Sequence, residues 1–166
     1  MSIGPLQVET LSAQHQRAAF HSCSPALNQY VHEQVSQDVR RRVTSCFVAC
    51  TAQGQIAAYY TLAASSIWLG DLPTPLAKKL PRYPTVSAVR MGRLAVAQIH
   101  QGQGLGAAML GDALARARQA EIAAYAMVVD AKDQAAAAFY QHHGFVAFDA
   151  TPLTLFLPLA SVRGLG

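Results

Sequence analysis

The chain has 166 residues, 52% hydrophobic and 13% charged, with a net charge of +4 and a pI near 9.2. That length suits a single domain, 1–166, burying about two thirds of its unfolded surface, and that composition excludes a disordered polyelectrolyte. Three cysteines without a C-x-x-C pair (Cys23, Cys46, Cys50) exclude a disulfide scaffold and suit free thiols in a reducing cytoplasm, while six histidines without ligand spacing give no expectation of a metal.

Met1–Pro5 has no basic region followed by an apolar run, and the apolar tail Leu153–Ala160 is short and broken by Pro158, so neither secretion nor a membrane span is expected. Leu6–Leu11 alternates as a first strand and Ala13–Phe20 reads as a short helix. Ser24 then offers an N-cap and Pro25 a first-turn proline to a helix with Leu27, Tyr30, Val31 and Val35 at helical spacing. Arg40, Arg41 and Arg42 close it as the densest basic cluster, suited equally to the negative end of a helix dipole and to a polyanion. Phe47–Thr51 and Ile56–Ile67 flank the turn signal Gln53-Gly54 and read as a hairpin. Asp71–Pro84, with Pro73, Pro75, Pro81 and Pro84, allows one or two helical turns around Leu76–Leu80 and carries a second basic group, Lys78, Lys79 and Arg82.

Thr85–Val96 is expected to be the central strand, with Arg90 and Gly92 interrupting its apolar face, which a bulge near Gly92 would resolve. Gly102, Gly104 and Gly106 follow, then a helix with Leu110, Ala113, Leu114 and Ala117 along one face. Glycines spaced by two let backbone N–H groups converge, and the helix N-terminus adds unpaired donors, so the loop forms an anion cradle suited to phosphate. Gly102-x-Gly104-x-x-Ala107, with Asp130 further on, also satisfies a dinucleotide fingerprint. Against that, Ala97–Gln101 separates strand from glycine, and only 60 residues remain beyond Gly106. Tyr125–Asp130 reads as a buried strand, Asp133–His143 as a helix ended by Gly144, and Phe145–Phe148 and Leu153–Leu157 as the last strands.

Gln101-x-x-Gly104-x-Gly106 resembles the pyrophosphate loop of the GNAT acetyltransferases, and Asp133-x-x-Ala136-x-x-Phe139-Tyr140-x-x-x-Gly144-Phe145 resembles a second motif of that family. The resemblance implies an α/β (α+β) fold: a mixed, mostly antiparallel sheet of six to seven strands with a splayed central pair and about four helices. It implies acetyl-CoA held by Leu94, Ala95, Val96, Gln101, Gly102, Gln103, Gly104, Leu105, Gly106, Asp133, Ala136 and Phe139, with Tyr140 as the acid protonating the departing thiolate. Asp133 departs from the asparagine common there, and a carboxylate accepts without donating.

Further segments extend the likeness to the TacT-like toxins of toxin-antitoxin modules, from about Leu6 to the end. They include Cys23-Ser24-Pro25-Ala26-Leu27-Asn28, Tyr59-Tyr60-Thr61-Leu62, Leu80-Pro81-Arg82-Tyr83-Pro84, Gly92-Arg93-Leu94-Ala95-Val96 and Leu155-Phe156-Leu157-Pro158-Leu159. The resemblance implies acetylation of the α-amine of the amino acid on charged elongator tRNA and a halt in translation. It also implies a homodimer, a ribbon-helix-helix antitoxin, and operator DNA reached only through that antitoxin. Arg40, Arg41, Arg42, Lys78, Lys79, Arg82, Arg90 and Arg93 are the candidate RNA contacts, since phosphate neutralisation dominates such affinity. No glutamate sits beside the two motifs as a general base, which suits an acceptor that is already a weak base, such as the amine of an esterified amino acid. Acetylation of a metabolite or drug amine, and a coenzyme-binding co-repressor without catalysis, are the alternatives.

Overall fold

The structure, a computed structural model, describes residues 6–162; Met1–Pro5, on which the leader reading falls, and residues 163–166 lie outside the described residues. Seven strands form one sheet in the order β1-β2-β3-β4-β5-β7-β6. They are β1 (Gln7–Thr10), β2 (Ser45–Cys50), β3 (Ile56–Trp68), β4 (Thr85–Val96), β5 (Ala126–Asp130), β6 (Val146–Ala147) and β7 (Thr154–Pro158). The central strand matches its expected bounds residue for residue. Contacts divide the chain into two compact units.

The first unit comprises residues up to Ala63 with Arg93–Ala113. Antiparallel ladders join β1 to β2 and β2 to β3, with a register shift at Ala49/Cys50. Above them runs a helix in three parts: α1 (Pro25–Gln29), a π-helical turn (Tyr30–Gln34) and α2 (Val35–Arg40). It starts where the sequence signals it, the Ser24 side chain accepting from the Leu27 N–H. Its apolar face, Tyr30, Val31 and Val35, packs with Phe20, Cys46, Val48, Ile56, Tyr59 and Ala95 into one core. The helix expected over Ala13–Phe20 does not form; only Arg17–Ala19 makes a 3₁₀ turn. The His15 ring is instead engaged by the Ser12 N–H and Glu9, and Gln16 bridges to Gln55. These bonds offer the segment an alternative to the helical ladder.

The second unit comprises Ala64–Gly92 and the residues from Leu114 on. Here β4 pairs in parallel with β5 over Ala88–Met91 and Ala126–Val129, and β5 pairs antiparallel with β7, which also takes β6. The ladder with β5 ends at Met91 although β4 runs on to Val96, so the irregularity expected near Gly92 is expressed as a ladder end. The proline-rich loop makes α3 (Thr74–Ala77), and its Leu69, Leu72, Leu76, Ala77 and Leu80 pack on a core of Ile67, Ala88, Ala126, Val128, Phe148 and Phe156. The remaining helices are α4 (Leu105–Gln119), which runs from the first unit into the second, and α5 (Gln134–His142) in the second. Counting the three-part run once, there are four helices among the described residues, as the resemblance implied. The strand read over Phe145–Phe148 shrinks to two residues.

Candidate active site

In the first unit, β4 ends at Val96, a 3₁₀ turn spans Gln98–His100, and the glycine loop leads into α4. Gly102 has φ 80° and Gly104 φ 78°, the left-handed region that other residues enter only at a cost. A Cβ at either would meet nothing within 4 Å, so both backbones face open space. Ala108 N–H bonds to Gly104 C=O at 3.1 Å. The N–H groups of Leu105, Gly106 and Ala107 therefore precede the helical ladder and sit at the positive end of a 15-residue helix. This is a fitting seat for a diphosphate. Gln101 is held from the side by Cys23, Sγ to Oε1 at 3.5 Å.

The same geometry disposes of the dinucleotide fingerprint. The 3₁₀ turn keeps the first glycine off the strand, and Asp130, the candidate ribose ligand, has both carboxylate oxygens 2.6 Å from an Arg90 nitrogen.

In the second unit, α5 presents the other motif. Asp133 caps it, Oδ1 accepting from the Ala136 N–H at 2.8 Å, and Gly144 follows the helix with φ 97°. One oxygen of Asp133 is thus already committed to the fold. Tyr140 is 5% exposed, with Phe139 and Phe145 against its ring. Its hydroxyl makes no hydrogen bond to any described residue. Among the described residues no buried side-chain oxygen is left without a partner, so this hydroxyl is not an orphaned polar group of the core. Burial pushes the phenol above its ordinary pKa, and the Asp130 charge adds to that, so the proton is held firmly.

The basic candidates fall into three environments. Arg40, Arg41, Arg42, Lys78, Lys79 and Arg82 are exposed. Arg90 is engaged by Asp130. Arg93, on the same face of β4 as buried Ala95, lies with its guanidinium 3.5 Å over the Tyr30 ring. Tyr30 in turn donates to Asp38 at 2.9 Å, which Gln34 also bonds. Those two hydrogen bonds hold the Asp38 carboxyl below its usual range, and burial pushes the Cys46 thiol up to about 12 against the opposing charge of Arg93. Arg93 therefore has a structural partnership that sequence spacing did not reveal.

Glu9, His15 and Cys50 meet with their donor atoms within 4.8 Å of one another, a grouping their spacing conceals. Their protons are already allocated. The Ser12 N–H donates to His15 Nδ1, which fixes the ring proton on Nε2, and that proton goes to Glu9 Oε1 at 2.7 Å. Cys50 donates to the same oxygen, and burial with that bond raises its thiol pKa. The three side chains thus form one hydrogen-bond network.

A strand that runs past the end of its parallel ladder into a glycine cradle, within a mixed seven-stranded sheet, defines the acetyltransferase fold of the GNAT type. Residues 43–147 match the acetyltransferase (GNAT) domain, and the chain belongs to that family. It is homologous to a tRNA-acetylating toxin of Mycobacterium tuberculosis, 33% identical over 149 residues covering 89% of this chain and 88% of the relative. Among solved structures, AtaT complexed with acetyl-methionyl-tRNAfMet superposes with a TM-score of 0.86 at 27% identity, covering 95% of this chain and 96% of that one. AtaTR bound with AcCoA gives 0.78 at 26%, covering 94% and 95%. Among the described residues, no helix is long and apolar enough to cross a membrane.

Proposed function

We propose that this chain transfers an acetyl group from acetyl-CoA to the α-amine of the amino acid on charged elongator tRNA, arrests translation, and is neutralised by a cognate ribbon-helix-helix antitoxin. The observation that carries the reading is the pair of left-handed glycines opening α4, Gly102 and Gly104, whose positive φ disfavours any other residue and whose surroundings are open to a phosphate. Relatives named for tRNA acetylation support the acceptor. The chain acts as one domain, 1–166, in a cytoplasmic homodimer, and its antitoxin alone brings it to operator DNA.

The coenzyme supplies an activated acetyl thioester when bound. Main-chain N–H groups from Gln101 to Gly106 hold its diphosphate, and the main chain of Leu94, Ala95 and Val96 orients the acyl arm, with Asp133, Ala136 and Phe139 lining it. Tyr140 keeps a proton on its hydroxyl for the departing sulfur, a task suited to a phenol that stays neutral until charge develops beside it. The acceptor amine needs no dedicated base, because ester linkage lowers its pKa below that of an ordinary α-amine, near ~8.

The test is transfer of labelled acetyl from acetyl-CoA to a panel of charged tRNAs, methionyl-initiator tRNA included because the AtaT complex holds tRNAfMet. Tyr140→Phe is expected to bind coenzyme normally, lose transfer and lose growth arrest. Full toxicity in that variant would remove Tyr140 from the mechanism. Transfer to free amines alone would replace the tRNA reading with the metabolite one.

A further inference from the structure

Two large aromatic side chains stand in solvent beside the second basic group: Trp68, the chain's single tryptophan, is 63% exposed and Tyr83 71%. The backbone accounts for both. Alternation along the end of β3 turns Ile67 into the core and Ala64, Ser66 and Trp68 outward, and the small neighbours leave the indole uncovered. Tyr83 sits between prolines, its N–H bonded to Pro81 C=O at 2.8 Å, and the Leu69 N–H bonds to Pro84 C=O at 3.0 Å. The last bond brings the chain just after Trp68 against the chain just after Tyr83, so both rings stand at one end of the loop. The loop's inner leucines are packed on the core, which makes its outer side a fixed surface.

Lys78, Lys79 and Arg82 belong to the same loop and are exposed. None has a carboxylate partner among the described residues, and Asp71 is the one acid in residues 64–92. Neither the Trp68 nor the Tyr83 side chain has a ring contact or hydrogen bond there. A self-complementary dimer interface would set this patch against itself, bringing its three cations face to face. Exposed aromatic faces among unpaired cations suit a partner that offers flat, stackable groups and regularly spaced anions.

We propose that this face binds unpaired nucleotides of the RNA substrate: Trp68 and Tyr83 stack on bases, and Lys78, Lys79 and Arg82 neutralise the neighbouring phosphates. The proposal rests on the tRNA reading above and adds the residues that recognise the single-stranded part of that substrate.

Because the chain has one tryptophan, its emission reports the surface directly. Purified protein without acyl donor is titrated with a single-stranded RNA of about ten nucleotides, a blunt duplex of equal length, and tRNA. The single strand and the tRNA quench Trp68; the blunt duplex does not. Trp68→Ala and Tyr83→Ala each raise the KM for charged tRNA about tenfold while kcat and the KM for acetyl-CoA stay unchanged, and Tyr83→Phe retains wild-type behaviour. Lys78→Gln with Lys79→Gln flattens the salt dependence, which the aromatic variants leave alone. Two outcomes overturn the proposal: no quenching by a tRNA that the same protein acetylates, or an emission change that follows protein concentration with a doubling of mass in sedimentation, which assigns the face to a second copy. Since the titration needs no acetyl transfer, failure to acetylate any tRNA counts against the proposed function and failure to quench counts against this surface.

Discussion

Arg42 occupies a position where glycine is the usual occupant. It has φ 60°, its N–H bonds to Val39 C=O at 3.0 Å, and the next residue, Val43, bonds to Asp38 C=O at 2.9 Å, the two closing bonds of a Schellman motif at the end of α2. A side chain in the left-handed region costs about 1–2 kcal/mol. Glycine would remove that cost and add about 0.5–1 kcal/mol through the freedom of the unfolded chain. Losing the cation costs a further ~0.3–1 kcal/mol at a helix C-terminus. Arg42→Gly and Arg42→Ala lose the same charge, but only alanine keeps the strain, so the glycine variant should be the more stable of the two by about 1 kcal/mol, or roughly 2–4 °C in Tm. Urea unfolding measures this. In tRNA kinetics the two variants should behave alike, each reducing the slope of log affinity against log salt by roughly 0.7–0.9, the value of one phosphate contact. Strain held at a charged position points to a use for the charge. Equal stability of the two variants would refute the strain, and an unchanged salt slope would refute the use.

Gly104→Ala should fold, since its Cβ meets nothing, at a cost of about 1–2 kcal/mol from φ 78°; calorimetry should show acetyl-CoA affinity falling at least about tenfold while tRNA affinity holds. Asp130→Asn removes a charge that raises the Tyr140 phenol, so the alkaline limb of kcat should move to lower pH, whereas Arg90→Gln leaves Asp130 unneutralised and should move it higher; shifts in the same direction would disconnect the pair from the acid. The Glu9 carboxyl is held below its usual range by its hydrogen bonds to His15 and then Cys50. Its contribution is therefore present above the ordinary carboxylate pKa and lost as pH falls through the lowered one, and Glu9→Gln should flatten stability across that acid window in pH-dependent urea unfolding.

The parts of the fold written in short-range chemistry were legible. Ser24-Pro25, Asp133 and Gly144 mark helix ends through bonds to their own neighbours, and β4 was bounded by the proline before it and the glycine loop after it. Ala13–Phe20 was misread because what holds it, Glu9 and Gln55, lies outside the helical window. The glycine cradle was readable because positive φ demands glycine, while the environment of Tyr140 was not. Asp130 joins Arg90 from 40 residues away, and Arg93 meets Tyr30 through a turn that hydrophobic spacing does not announce. Charges close in sequence were grouped together, yet Arg90 and Arg93 face different partners, because positions three apart on a strand point to opposite sides.

The π-helical turn has a consequence for how relatives are compared. Val35 N–H closes on Tyr30 C=O, so this turn holds one residue more than an α-helix would use there. A single codon gained or lost at this place is absorbed by the loop of backbone between those two atoms, and α1 and α2 keep their seats. Alignments that penalise gaps inside helices will slide one half of this region by a residue, and a superposition of main chains is the sounder guide to which position in a relative corresponds to Tyr30.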